Sequence, residues 1–167
     1  MSVLRRYHGT RSVAFITCNT YRRRPILIEY ADIFWRAIEV AKRQASFELI
    51  AHVILPDHFH LIIDPGTSEF DNIIQRIKMS FGGKLRHVTR VRSGRIWQHR
   101  YWDHIIRDQV DMNRHIDYVH YNPVKHGHVE SPWAWKHTSI HRYLAEGLYE
   151  RDWGTKETMN FEGDFGE

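Results

Sequence analysis

Residues 47–64 read FELIAHVILPDHFHLIID, and this stretch decides the fold. Phe47 to Leu55 is rich in β-branched and aliphatic residues, and Phe47, Leu49, Ala51, Val53 and Leu55 alternate with Ile50 and Ile54. Both faces are largely apolar, which predicts a strand buried in the middle of a sheet. Pro56-Asp57 supplies a turn. His58 to Ile63 is then a second strand, ended by Asp64-Pro65-Gly66. Side chains alternate across a strand, so His58 and His60 project from one face and Phe59 and Leu61 from the other.

The flanking elements follow by period. Upstream, Val13 to Thr17 reads as a strand, and Arg22-Arg23-Arg24-Pro25 breaks it. Between Glu29 and Gln44 the apolar residues Ile33, Phe34, Ala37, Ile38 and Ala41 recur at helical spacing. Downstream, Ser68-Glu69-Phe70-Asp71 predicts a capping box. It opens a helix carrying Ile73, Ile74, Ile77 and Phe81, which Gly82-Gly83 weakens. Tyr101 to Ile106 is a fourth strand. Asp108 caps a helix to Tyr121, where Asn122-Pro123 is expected to end or distort it. A last helix falls near His141 to Leu148. The order β-α-β-β-α-β, then helix, predicts an α+β ferredoxin-like domain: one antiparallel sheet with helices on one face. Residues 1–154 form that domain, and residues 155–167 are expected to be a flexible acidic tail.

The composition is that of an ordinary globular chain. Of the 167 residues, 42% are hydrophobic and 26% charged, which excludes a disordered polyelectrolyte. No apolar run approaches the ~20 residues that span a bilayer. MSVLRRYHGTRSV has no apolar core of a secretion signal, and Cys18 has no cysteine to pair with. A reducing, cytoplasmic setting is the expectation.

The net charge of +4 is unevenly spread. Residues 157–167 hold Glu157, Glu162, Asp164 and Glu167 and no base. The remainder carries all 24 Lys and Arg against 16 acids. Bases cluster at Arg5 and Arg6, at Arg22, Arg23 and Arg24, and from Lys84 to Arg107, where Lys84, Arg86, Arg90, Arg92, Arg95, Arg100 and Arg107 face the single acid Asp103. Trp97, Tyr101 and Trp102 are interleaved with them. Such a pattern suits a polyanion, with the bases on phosphates and the aromatics stacking unpaired bases. A plain solvated basic surface with strand and core aromatics has the same composition.

Two imidazoles from one strand can hold a cation and leave its other positions open. Among 13 histidines a pair hydrogen-bonded at a sheet face also arises by chance. On the helix from Asp108, Met112, Ile116 and Val119 form a core stripe at about 100° per residue. His115, Tyr118 and Asn122 share one flank of it, at i, i+3 and i+7, and Tyr121 points toward water. Tyr118 and Asn122 are therefore candidates to meet the histidine face, or else a packing tyrosine and a turn residue.

Taken together these segments resemble a known family. LPDHFHLII resembles the His-hydrophobic-His motif of the HUH single-strand nucleases. WQHRYWDHIIRD (97–108) and RHIDYVHYNPVKHG (114–127) resemble the REP-associated tyrosine transposases, relatives of the single-tyrosine insertion-sequence transposases. The likeness runs in matching order from Arg5-Arg6-Tyr7 to GLYERDWG at 147–154. It implies that Tyr118 is a nucleophile and that His58 and His60 bind a divalent cation, Mg²⁺ or Mn²⁺. Asn122 stands where insertion-sequence relatives carry a metal-binding glutamine. The implied activity is metal-dependent nicking and rejoining of single-stranded or hairpin DNA from repetitive extragenic palindromes, through a 5′-phosphotyrosine, by a monomer in this branch, with the dimer of the insertion-sequence relatives as the alternative. Two other functions remain open: a DNA-binding regulator without chemistry, and a small-molecule metal hydrolase. The tail, with Phe161 and Phe165, could lie over a basic cleft in place of DNA.

Overall fold

The computed structural model describes residues 12–156 and 158–167, so Arg5 and Arg6 lie outside the described residues. Four strands, β1 (Ala14–Asn19), β2 (Glu48–Ile54), β3 (His58–Asp64) and β4 (Trp102–Ile105), form one sheet in the order β2-β3-β1-β4. Every neighbouring pair is antiparallel. The helices are α1 (Ala31–Gln44), α2 (Phe70–Thr89), α3 (Gln109–Lys125) and the short α4 (Ile140–Ala145). This is the ferredoxin-like α+β arrangement expected of the element order. None of the described helices is long and apolar enough to cross a membrane.

Three features differ from the periodicity alone. First, the helices cover both faces. Phe59, Leu61 and Ile63 pack with Phe34, Ile38, Ile73, Ile77 and Phe81 of α1 and α2. On the other side Phe15 and Ile62 meet Met112, Ile116 and Val119 of α3 and Ile140 and Tyr143 of α4. A sheet apolar on both faces has to be covered on both.

Second, β2 lies at an edge, not in the centre. Its apolar faces are both buried, and its open side is closed by residues 137–139. Ile54 N donates to His137 O at 2.9 Å and Ser139 N to His52 O at 2.9 Å. The exposed backbone that usually marks an edge is thereby paired.

Third, helix boundaries yield to packing. The expected capping box does not form: Glu69 precedes α2 without a side-chain cap, and Asp71 instead accepts from the Tyr101 hydroxyl. Helix α2 continues through Gly82-Gly83, and a Cβ at Gly82 would meet Ile96 at 3.3 Å, so the small residue lets the 95–101 segment lie close. Helix α3 starts as expected, with Asp108 accepting from Asp111 N at 2.8 Å, but it runs past Pro123 to Lys125. Tyr118, Asn122 and Pro123 are all buried there. Gly127, at φ +70°, closes the end, with its N–H on Val124 O and the His128 N–H on Pro123 O. Tyr121, expected in water, is buried, ringed by Trp153 and Phe161 of the C-terminal segment.

Candidate active site

The alternation of β3 delivers His58 and His60 to the α3 face, where both are buried and their rings lie 5.0 Å apart. The His58 Nδ1–H donates to Asp57 Oδ1 at 2.7 Å. Asp57 in turn accepts from Arg23 Nε at 2.8 Å. Burial alone would raise the Asp57 carboxyl, but the His58 hydrogen bond and the Arg23 charge hold it down at about 2. Burial likewise works against a charged His58, yet Asp57 and Glu167 lift it above its ordinary value. A carboxylate on Nδ1 fixes the tautomer and turns the Nε2 lone pair inward. Arg22 and Arg23 both adopt left-handed φ, +55° and +54°. Such strain costs about 1–2 kcal/mol per residue and sits where it aims Arg23 at Asp57.

His60 is oriented by β1. In the sheet register Thr17 is opposite His60 and Asn19 opposite His58. The Thr17 hydroxyl donates its one proton to Phe165 O, so the His60 Nδ1–H donates to Thr17 Oγ1, at 2.8 Å. Its Nε2 therefore also carries a lone pair, and burial keeps the ring neutral, with a pKa of about 4.

Helix α3 brings the other half. Tyr118 is buried with its ring edge-on to His60 at 5.4 Å. Its hydroxyl accepts from Lys125 Nζ at 3.0 Å. Burial first, and the Glu167 carboxylate next, hold the phenol well above its ordinary value. Asn122, one turn on, is fully buried.

The C-terminal residues close the site. Phe165 stacks on Tyr118 with centroids 3.8 Å apart and planes 10° apart. Gly166, at φ +76°, makes the turn that follows. It has no alternative, because a Cβ there would stand 2.3 Å from Trp102 Cβ. Glu167 then enters between the halves: Oε1 lies 2.9 Å from His60 Nε2 and 2.7 Å from Asn122 Nδ2. Oε2 meets Lys125 and lies 3.1 Å from His126 Nε2. Burial would raise this carboxyl, but the surrounding His126, His58 and His60 hold it far below the usual carboxylate range.

Two buried side-chain atoms among the described residues lack a hydrogen-bond partner, and both belong here: His58 Nε2 and Asn122 Oδ1. Glu167 Oε1 is 3.6 Å from His58 Nε2, beyond hydrogen-bond range. Ligand atoms of His58, His60 and Glu167 lie within 4.8 Å of one another, with the Asn122 amide beside them, and imidazole nitrogens with amide and carboxylate oxygens are a donor set that fits a divalent cation.

The basic residues divide. Arg23 is built into the site. Arg22 is exposed beside it, and Arg24 donates to Arg95 O at 2.7 Å. Arg86, Arg95, Trp97 and Tyr101 line one groove of about 450 Å³ between α2 and the 95–101 segment, together with Lys78 and His99. Lys84 and Arg100 are exposed but do not line it. Trp97 is half-buried and also packs against the core, with its ring 5.6 Å from Phe59 and 5.2 Å from Phe81. Asp57, Thr17, Lys125, His126 and Glu167 escaped the sequence reasoning. Lys125, seven residues beyond Tyr118 on the same helical face, left a signal; Glu167 was visible only as part of the acidic tail that could cover a basic cleft.

A four-stranded ferredoxin-like sheet carrying a histidine pair opposite a helix-borne tyrosine is the scaffold of a single-tyrosine transposase. Residues 10–122 match the family model described as "Transposase IS200 like". The chain is 37% identical over 156 residues to the REP-associated tyrosine transposase of Escherichia coli K12, covering 92% of this chain and 91% of the relative. It is 36% identical over 154 residues to a Haemophilus influenzae protein named for the same activity, covering 86% and 87%. The solved structure of a REP-associated tyrosine transposase bound to a REP hairpin superposes with a TM-score of 0.81 at 36% identity, over 100% of this chain and 98% of that one. The chain belongs to the IS200-like transposases and, within them, to the REP-associated tyrosine transposases.

Proposed function

We propose that the chain nicks and rejoins single-stranded DNA beside a REP-like hairpin, with Tyr118 as nucleophile and His58, His60 and Asn122 holding a divalent cation. The observation that carries this is that ligand atoms of His58 and His60 gather with Glu167 within 4.8 Å of one another, with the Asn122 amide on the same carboxylate, and that the two unpartnered buried atoms, His58 Nε2 and Asn122 Oδ1, both belong to these residues. The relative solved with a REP hairpin supports the substrate class. When bound, the cation draws charge from a non-bridging phosphate oxygen and offsets the charge of the transition state. Asp57 and Thr17 keep both histidines in the ligating tautomer. Tyr118 contributes a positioned phenol, whose attack leaves a 5′-phosphotyrosine and a free 3′-OH. Because the linkage conserves the phosphodiester, a 3′-OH can reverse the step without ATP. Two imidazoles favour a metal softer than Mg²⁺, so Mn²⁺ is expected to support cleavage better. The groove beside Trp97 and Tyr101, with Arg86 and Arg95, offers cations and aromatic faces to the DNA.

Glu167 and Phe165 occupy the same space the cation and strand would need, so the C-terminal residues act as a cover displaced on engagement. That cover favours, as a second reading, a hairpin-binding regulator whose chemistry is held off. Incubating the protein with a REP-like hairpin oligonucleotide and Mn²⁺ decides between them. A denaturant-resistant adduct that Tyr118→Phe abolishes, with hairpin binding intact and Tyr121→Phe still active, supports the enzyme. Binding without an adduct under any metal supports the regulator.

A further inference from the structure

Lys125 stands two helical turns beyond Tyr118 on the same face of α3. Its Nζ donates to Tyr118 Oη at 3.0 Å and lies 5.0 Å from the centroid of that ring. The same ammonium meets the Glu167 carboxylate, whose other oxygen is lodged 2.9 Å from His60 Nε2. His126 Nε2 lies 3.1 Å from the oxygen that Lys125 holds. The carboxylate is thus an anion seated in a cradle with the histidine pair on one side, two nitrogen groups on the other and the phenolic oxygen beside it. A phosphodiester offers the same chemistry: one negative charge shared by two oxygens that accept N–H donors. The Lys125 side chain is 41% exposed, so an incoming strand can reach it.

We propose that Lys125 is a catalytic residue: its ammonium binds a non-bridging oxygen of the scissile phosphate where the Glu167 carboxylate now lies, while holding the Tyr118 oxygen for attack. The proposal rests on the nicking function above. In the step, the Tyr118 Oη–P bond forms as the P–O3′ bond breaks, and the phenolic proton passes, in net, to the departing 3′ oxygen. Charge gathers on the phosphoryl oxygens in the forward direction and on the phenolic oxygen in the reverse. A donor already placed between them strengthens both contacts in the transition state, which is what accelerates a reaction.

A lysine that served only to anchor the tail makes the opposite prediction, because removing it would free the site. The test is the rate of adduct formation by the full chain with a REP-like hairpin oligonucleotide and Mn²⁺, for wild type, K125M and K125R, each with and without E167Q. Hairpin affinity and Mn²⁺ binding are measured alongside. The expected result for K125M is a loss of about 100-fold in rate, with and without E167Q, with both affinities retained. K125R, which keeps the charge, is expected to retain about a tenth of the rate or more. A K125M rate equal to or above wild type, with wild type forming the adduct, overturns this proposal alone. No adduct from wild type or E167Q overturns the nicking function and this inference together.

Discussion

At the scale of single residues, the site is a set of small constraints on two imidazoles. Asp57 and Thr17 each take an Nδ1–H, which turns both Nε2 atoms toward the pocket that the Glu167 carboxylate fills. Outer partners of this kind typically govern metal affinity by about 10–100-fold. Asp57→Asn is therefore expected to weaken Mn²⁺ binding by that order, read by metal titration, while the fold stays intact; unchanged affinity would remove Asp57 from the site. Alternation alone legibly put His58 and His60 on one face, and a helical arc put Tyr118 and Asn122 on one flank. Asp57 was equally visible but read as a turn residue, because a single Pro-Asp pair satisfies turn chemistry without revealing what the carboxylate faces.

At the scale of elements, the C-terminal segment packs onto α3, with Phe165 on Tyr118 and Glu167 on Asn122 and Lys125. Gly166 lets Glu167 turn inward only because nothing projects from its Cα toward Trp102. Gly166→Ala is expected to expel the last residues, raising the rate of adduct formation and exposing the tail to protease; a slower or unchanged reaction would show that the cover is not inhibitory. Helix α3 depends on its buried stripe. Ile116 is fully buried, so Ile116→Ala is expected to cost about 2–5 kcal/mol in chemical denaturation. That stripe was legible from a 3.6-residue period. The extension of α3 through Pro123 was not, since a proline's local penalty is visible in sequence and the compensating burial of Tyr118 and Asn122 is not.

At the scale of the whole molecule, buried histidines set the response to acid. His60 and His120 are fully buried. Burial holds His60 at about 4 and His120 well below its ordinary value. His120 is fixed as a neutral ring between the Tyr149 hydroxyl at 3.0 Å and Ser139 Oγ at 2.7 Å. Unfolded, both take protons near pH 6.5. The unfolded state then binds more protons than the folded one, so stability falls as pH drops below that value. Asp117, raised to about 6 by burial, has the opposite sign and offsets one of them below that pH. His52, lowered to about 3 by burial, adds to the fall, so the net expectation is a loss of more than about 1 kcal/mol per pH unit from pH 6 toward 4, read as a lower urea midpoint without added metal. A flat or rising profile would contradict neutral burial of these rings.

The sequence by itself determined the strands, the helices and which face of each carries its histidines, tyrosine and amide. Those properties repeat every two or 3.6 residues, so a few neighbours suffice to establish them. Only the tertiary structure decided that β2 is a covered edge, that helices pack on both faces, and that Glu167 reaches His60 across 107 positions of chain. A contact of that separation leaves no local pattern. It forms where the packed sheet and α3 bring the nitrogen groups of His60, Asn122, Lys125 and His126 around the Glu167 carboxylate.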